Sequence, residues 1–575
     1  MLGGKTVMSN EGNITYEDIE GEQFQRHQFY QYEIETEDDL ANLYLELYQD
    51  YPLYMQEAGR LGEIIRLFKS RQFTIVAEED YVDKQYRDSY YTYFSQKYDE
   101  YVRNGVRLAF FEGHITSEQF FDYNFDLQNI LIGTLVLRPL KVGNIGQTLL
   151  NPKKINVEGY YRTCSFKVMI YGRKLRVNAF PYSSQDNETM TCAETALFNL
   201  IDYYGNKYSE YRILMPSEIL QDIEQEAYER VLPSQGLSPD NMAKVLEDSN
   251  FYPQIYSYED FDKSFDSLLY VYVESGIPLI LSLPTHFVVC VGHGKIQQIL
   301  KKAEWEAITY SITFEETKYY LLSTADLCHE YIVMDDNKAP YYKTEIDNIV
   351  KEYTTEEEKE STLEEIKKNG VSLIVPLYRR IFMDAARADS IFKSLFWENK
   401  FFLADIRKAY DDMTWGTEEK NPFVWRMYLT AARSYKDFKT KTTRNKVMKY
   451  FYMDCALPRF IWVLEIGTIE DYVNSKARVE ILLDATSSPH SDTRGILSIA
   501  YKNHFVFVPD ELYDNIDIIQ FEVDDTNKIT MESFKKQFDY NFTLTKVFEL
   551  LYDYKYEYVD DTFEIFEDSN LEGNF

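Results

Sequence analysis

Nowhere in this sequence is there an apolar run long enough to cross a bilayer. The most apolar stretch, Ile277 to Val291, is interrupted by Pro284 and His286 and is shorter than the roughly 20 residues a spanning helix needs. Met1 to Asn10 lack the apolar core of a secretory signal. Cysteine is scarce: there are five, at 164, 192, 290, 328 and 455, odd in number and without paired spacing. That fits a reducing compartment with neither a disulfide framework nor a zinc site. Basic residues are outnumbered, 61 Lys and Arg against 95 Asp and Glu, for a net charge of −34. Such a balance argues against nucleic acid or anionic membrane as partner and otherwise serves solubility. Repeats at solenoid periods and low-complexity segments are absent as well. A soluble, cytoplasmic, microbial protein is expected.

The length, 575 residues, exceeds what one core supports, so several domains are expected. Residues 1–155 read as an α+β segment. It has a helical pattern over Glu37–Phe68 interrupted at Pro52, strands at Phe73–Val76, Arg107–Phe111 and Ile130–Leu137, and a tyrosine-rich helix near Tyr86–Tyr101. Residues 156–345 begin with strands at Tyr160–Ile170 and Lys174–Phe180. Helices with good start signals at Pro216 and Ser238-Pro239 come next, then strands at Pro278–Leu283, His286–Val291 and Tyr331–Met334. A charged stretch, Glu352–Lys368, suggests a boundary near 345–370. Beyond it, residues 346–575 read as a third α+β domain, with a strand at Ser372–Leu377 and helices at Tyr378–Phe396, Val424–Lys439 and Asn445–Cys455. Strands are expected there at Arg478–Asp484 and Ile496–Val508.

The chemistry concentrates between Gln185 and Gly205. Thr191 stands where an N-cap belongs, and Glu194 three residues later completes a capping box. Apolar residues then recur at helical spacing to Tyr204, and Gly205 reads as the C-cap. Cys192 therefore opens a helix, where unpaired backbone N–H groups and the helix dipole favour an anion and so a nucleophilic thiolate. Such a nucleophile needs a base, a group to orient the base, and donors for an oxyanion. His286 leads the strand His-Phe-Val-Val-Cys-Val-Gly-His-Gly and supplies the base. Asp336, with Asp335 as the alternative, ends the strand Tyr-Ile-Val-Met and supplies the orienting acid. Gln185, seven residues before the cysteine, and the Cys192 backbone N–H supply the donors.

This ordered set resembles the papain-like cysteine peptidases, and within them the bacteriocin-leader-type (double-glycine leader) peptidase group. The likeness covers roughly residues 160–345. It rests on Gln185 before a helix-opening Cys192, on His-x-Val-x-x-Val-Gly-x-Gly from His286, and on a later strand ending in Asp335-Asp336. Gly236-Leu-Ser-Pro-Asp before a helix adds to it. The chain departs from papain in a Gln-to-Cys gap one residue longer and in Ala193 where papain carries tryptophan. The 49 positions from His286 to Asp335 are also more than usual, making 295–330 an insertion and a candidate lid. The resemblance implies an α+β papain-like core and a cysteine peptidase acting through a Cys-His-Asp triad and a thioester. No metal or organic cofactor is implied. The expected partners are a peptide or protein substrate and a protein recognised by the flanking domains. The same triad serves papain-fold acyltransferases, transglutaminases and deamidases, and a non-catalytic scaffold could retain the fold, so those readings stand beside the peptidase.

Other candidates read more simply. Cys290 shares the face of His286 and reads as packing, and His293 points the other way. Cys328-His329 lacks partners for a metal site, while His27 and His114 are isolated. Asp484, Ser488 and His490 lie in a turn-rich stretch and are what turns are made of.

Overall fold

A computed structural model describes residues 28–56, 59–224, 232–234, 236–262, 264–295, 310–314 and 317–398, and most of 406–507. Towards the ends it describes only the strands Thr15–Glu17, Gln23–Gln25, Ile518–Val523, Ile529–Phe534 and Phe563–Glu564. The fold is α+β with largely antiparallel sheets. Contacts group the chain into two compact units, with limits unlike the three-part division drawn from sequence. The first holds residues 1–262, 278–294 and 330–376, and the second holds 263–277, 295–329 and 377–575.

The first unit begins with a five-stranded meander whose strands pair in chain order: Gln28–Glu33, Gln72–Tyr81, Gly105–Glu112, Leu131–Leu137 and Ile145–Leu150. The sequence pattern missed the first and last of these. The helical pattern broken at Pro52 resolves into Glu37–Asp50, capped by Thr36 and Asp39, and Gly59–Arg66. A second sheet runs in the order Phe251–Ser257, Ser372–Tyr378, Leu279–Ser282, Phe287–His293, Tyr331–Met334 and Tyr342–Thr344, with Tyr160–Tyr161 paired to Phe287–His293. Ser372–Tyr378 pairs directly with Leu279–Ser282. A boundary at 345 therefore falls within this sheet, because such long-range pairing leaves no local mark on the sequence.

Against the strand Phe287–His293 packs the helix Cys192–Lys207. Every residue from Ala193 to Tyr204 is buried, so the helix is covered all round rather than on one face. Besides the sheet, it meets the strand Cys164–Ile170 and the helices Pro216–Glu224 and Pro239–Asp248. Gly205 is not its C-cap. The helix continues to Lys207 and is capped by Tyr208, while Gly205 sits where a Cβ would come within 2.6 Å of Ile213 Cγ1 and 3.0 Å of its backbone nitrogen. Close approach of the returning chain, not a left-handed turn, makes that position glycine.

The second unit is built on a seven-stranded sheet: Tyr310–Phe314, Thr317–Ser323, Phe423–Ala431, Phe460–Gly467, Val479–Asp484, Ile496–Tyr501 and His504–Phe507. Two of its strands come from the described residues of the 295–330 insertion. Phe423–Ala431, expected to be helical, is a strand; the helix begins only at Ala432. Both faces of that strand are covered, so its sequence lacks the alternation that marks a half-exposed strand. Arg426 lies buried in it, held by the carboxylates of Glu274 and Glu465. Most of the expected helix Asn445–Cys455 and nearly all of the acidic tail lie outside the described residues. Among the described residues, no helix is long and apolar enough to cross a membrane.

Ile280 lies between Val289 and Ile374 in the central sheet of the first unit and is fully buried. Ile280→Ala is expected to cost about 2–5 kcal/mol in denaturant unfolding. Met169→Ala, on the exposed side of the hairpin Cys164–Ile170/Arg173–Ala179, should stay within about 0.5 kcal/mol.

Candidate active site

Cys192 is the first residue of its helix and is partly exposed, while the residues after it are buried. The Glu194 carboxylate holds the turn by accepting the Thr191 backbone N–H at 3.0 Å, together with the hydroxyls of Thr191 and Ser234. The loop before it is equally fixed. Asp186 accepts the backbone N–H groups of Glu188, Thr189 and Met190 at 2.7–2.9 Å. The buried Arg138 guanidinium donates to the Ser184 carbonyl at 2.7 Å. Gly143 (φ +65°) passes so close to Gln185 that a Cβ would stand 1.8 Å from the Gln185 carbonyl oxygen. Gln185 is thereby held beside the helix start. Its side-chain amide donates to Asn337 Oδ1 at 3.4 Å.

His286 closes the tight turn between Leu279–Ser282 and Phe287–His293, with its carbonyl accepting the Leu283 N–H at 2.8 Å. The antiparallel register sets Val289 against Met334. This brings the residue that leads one strand beside the residues that follow the other. His286 Nε2 lies 2.9 Å from Asp335 Oδ1 in a hydrogen bond. It also forms an ion pair with Asp336 Oδ1 at 3.1 Å, without hydrogen-bond geometry, and neither Asp336 carboxylate oxygen has another hydrogen-bond partner. Cys192 lies beside the same imidazole and adds to the groups that raise its pKa. With Nε2 turned to the acids, Nδ1 is the nitrogen left for the thiol.

The two acids are supported differently. Asp335 is wholly buried, accepts the Asn337 N–H at 2.9 Å on Oδ1, and accepts the Tyr353 hydroxyl at 2.7 Å on Oδ2. Asp336 is held through its backbone: its carbonyl accepts from Arg60 Nη1 at 2.9 Å and from the Tyr182 hydroxyl at 3.3 Å. The Tyr353 ring stacks on the His286 ring, centroids 4.2 Å apart and planes 19° apart. Burial pulls the imidazole pKa down, but Asp335, Asp336 and Cys192 outweigh it and push it up to about 11. Burial raises Asp335, yet His286, Tyr353 and Asn337 more than offset it and hold that carboxyl below its ordinary range. At Asp336, burial wins and the carboxyl is raised.

Cys192, His286, Asp335 and Asp336 are thus brought together, with Gln185 linked to them through Asn337. Asn337 and Tyr353 belong to the site although neither was among the residues expected there. Asn337 directly follows the acids and could have been read with them. Tyr353 sits in the charged stretch placed at the domain boundary, and nothing local marks it. Cys290 donates weakly to the Gly292 carbonyl at 3.7 Å, and His293 Nδ1 lies 2.8 Å from the Gly294 carbonyl, so both serve the strand. His114 Nε2 meets the Tyr32 carbonyl. Asp484 accepts from Thr486 in a turn, while His490 and His27 lie outside the described residues. His286, Asp335 and Asp336 also form a group of metal-capable donors. No protein-family model matches this chain, and neither a curated protein nor a solved structure does.

The raised imidazole links stability to pH. Because His286 moves from 6.5 in a free chain to about 11 when folded, its contribution is full below 6.5 and fades as pH rises towards 11. In thermal unfolding, the gap between the native chain and His286→Gln should be widest near pH 5–6 and narrow steadily towards pH 9.

Proposed function

We propose that this protein is a thiol hydrolase with a papain-like core, cleaving a peptide or amide bond through Cys192. The observation that carries the reading is a single buried imidazole, His286, set beside a helix-opening cysteine and hydrogen-bonded at 2.9 Å to a buried carboxylate. A cysteine helix packed on an antiparallel sheet supports the papain-like assignment.

In this mechanism His286 takes the Cys192 proton at Nδ1, and the thiolate attacks the substrate carbonyl carbon. The oxyanion is received by the Cys192 backbone N–H and the Gln185 side-chain amide. At 3.4 Å the Gln185–Asn337 hydrogen bond is long, so a charged acceptor competes for the amide readily. The imidazolium then protonates the leaving amine. Water, activated by the same imidazole, hydrolyses the thioester and restores the thiol. The orienting role falls to Asp335 rather than Asp336, since Asp335 makes the hydrogen bond to Nε2 and is itself fixed by Tyr353 and Asn337. Tyr353, stacked on the ring, restrains the imidazole plane and excludes water from the Nε2 side.

A cytoplasmic setting suits this chemistry, and the five cysteines are all free thiols. The substrate is a peptide or protein. The five-stranded meander and the second unit supply surface for recognising it or a protein partner.

The test is hydrolysis of p-nitrophenyl acetate, a chromogenic probe of nucleophilic thiols, by the full chain. Cys192→Ala should reduce turnover to the buffer rate, and Gln185→Ala should lower kcat about 10²–10³-fold. Turnover by Cys192→Ala equal to that of the native chain would refute the proposal.

A further inference from the structure

The hydrolytic mechanism uses one acid, yet two carboxylates face His286. Asp336 is only 6% exposed, both its carboxylate oxygens are buried without a hydrogen-bond partner, and Oδ1 points to within 3.1 Å of His286 Nε2. A buried carboxylate without hydrogen-bond donors is unfavourable unless a cation compensates it. The His286 imidazole is shared between Asp336 and Asp335. The backbone on either side of Asp336 is nevertheless firmly held, by Arg60 and Tyr182 on its carbonyl and by Asp335 on the Asn337 N–H.

His286 Nε2 and one oxygen from each of Asp335 and Asp336 all lie within 4.8 Å of one another. The two nitrogen-to-oxygen separations are 2.9 and 3.1 Å. Ligands about 2.0–2.2 Å from a tetrahedral zinc ion stand about 3.3–3.5 Å apart, a few tenths of an ångström beyond the two nitrogen-to-oxygen separations. The outer partners of a metal site are present too, in the Tyr353 hydroxyl and the Asn337 N–H on Asp335. One imidazole and two carboxylates suit a borderline dication. Calcium prefers six to eight oxygens, and magnesium an octahedral shell rich in water.

We propose that His286, Asp335 and Asp336 form an inhibitory site for a zinc-class divalent cation, an inference resting on the thiol-hydrolase reading for what the ion controls. The ion takes the Nε2 lone pair, and any proton held there passes to solvent. The neutral imidazole keeps its one remaining proton on Nδ1, facing Cys192. That nitrogen has no lone pair left to accept a proton from thiol or water. The two carboxylates balance the ion's charge, and the ion takes the place of the imidazolium charge beside Asp336.

Zinc chloride added to the chelator-stripped full chain, followed by equilibrium dialysis, tests the site. One zinc per chain is expected. Asp336→Asn should weaken binding at least tenfold, while Cys192→Ala should bind within threefold of the native chain. Zinc at saturation should suppress p-nitrophenyl acetate turnover at least tenfold, reversed by EDTA. The visible spectrum of the native chain loaded with cobalt(II) gives a second readout: intense tetrahedral bands without sulfur charge transfer are expected. Equal zinc affinity in native chain and Asp336→Asn, or binding lost in Cys192→Ala, would overturn the site. Zinc uptake through Asp336 in a chain without Cys192-dependent turnover would refute the hydrolase reading while the metal site stands. Turnover without zinc uptake would do the reverse.

Discussion

The pairing of Phe287–His293 with Tyr331–Met334 is the constraint on which the site depends. Antiparallel registry brings the start of one strand beside the end of the other, so His286 and Asp335 meet without any special loop. The neighbouring strands, Leu279–Ser282 and Ser372–Tyr378, bury that pair from one side. The cysteine helix covers it from the sheet face. Displacing the register by one residue would turn His286 away and exchange the roles of Asp335 and Asp336.

The electrostatics follow from that burial. A desolvated imidazole would ordinarily stay neutral, and the two carboxylates and Cys192 beside it reverse the tendency. Asp335 can remain ionised because three groups meet its oxygens: His286, Tyr353 and the Asn337 N–H. Asp336 has the His286 contact but neither of the other two groups, so burial dominates its behaviour. Two adjacent acids in one sequence thus acquire different chemistry from their hydrogen bonds alone. That difference separates an orienting group from a site able to receive a cation.

How much of this could be read from sequence depended on whether the signal was local. The Thr191–Glu194 cap is four residues long, and the structure has the helix start there. Tyr331–Met334 and its two following acids were likewise legible, because a short apolar run ending in charge is a local pattern. Choosing between Asp335 and Asp336 was not, since it turns on Tyr353, which approaches from a later helix end. Gly205 was taken for a helix terminator because its contact with Ile213 depends on the returning chain. Phe423–Ala431 was taken for helix because burial on both faces removes the period of two. Single cuts at 155 and 345 could not describe a chain whose segments 263–277 and 295–329 belong with residues far downstream.

The most direct measurement is the rate at which iodoacetamide alkylates Cys192, followed by peptide mass analysis, with His286→Ala as control. The account predicts rapid alkylation confined to Cys192 and lost in the control. A rate indifferent to loss of His286 would contradict it.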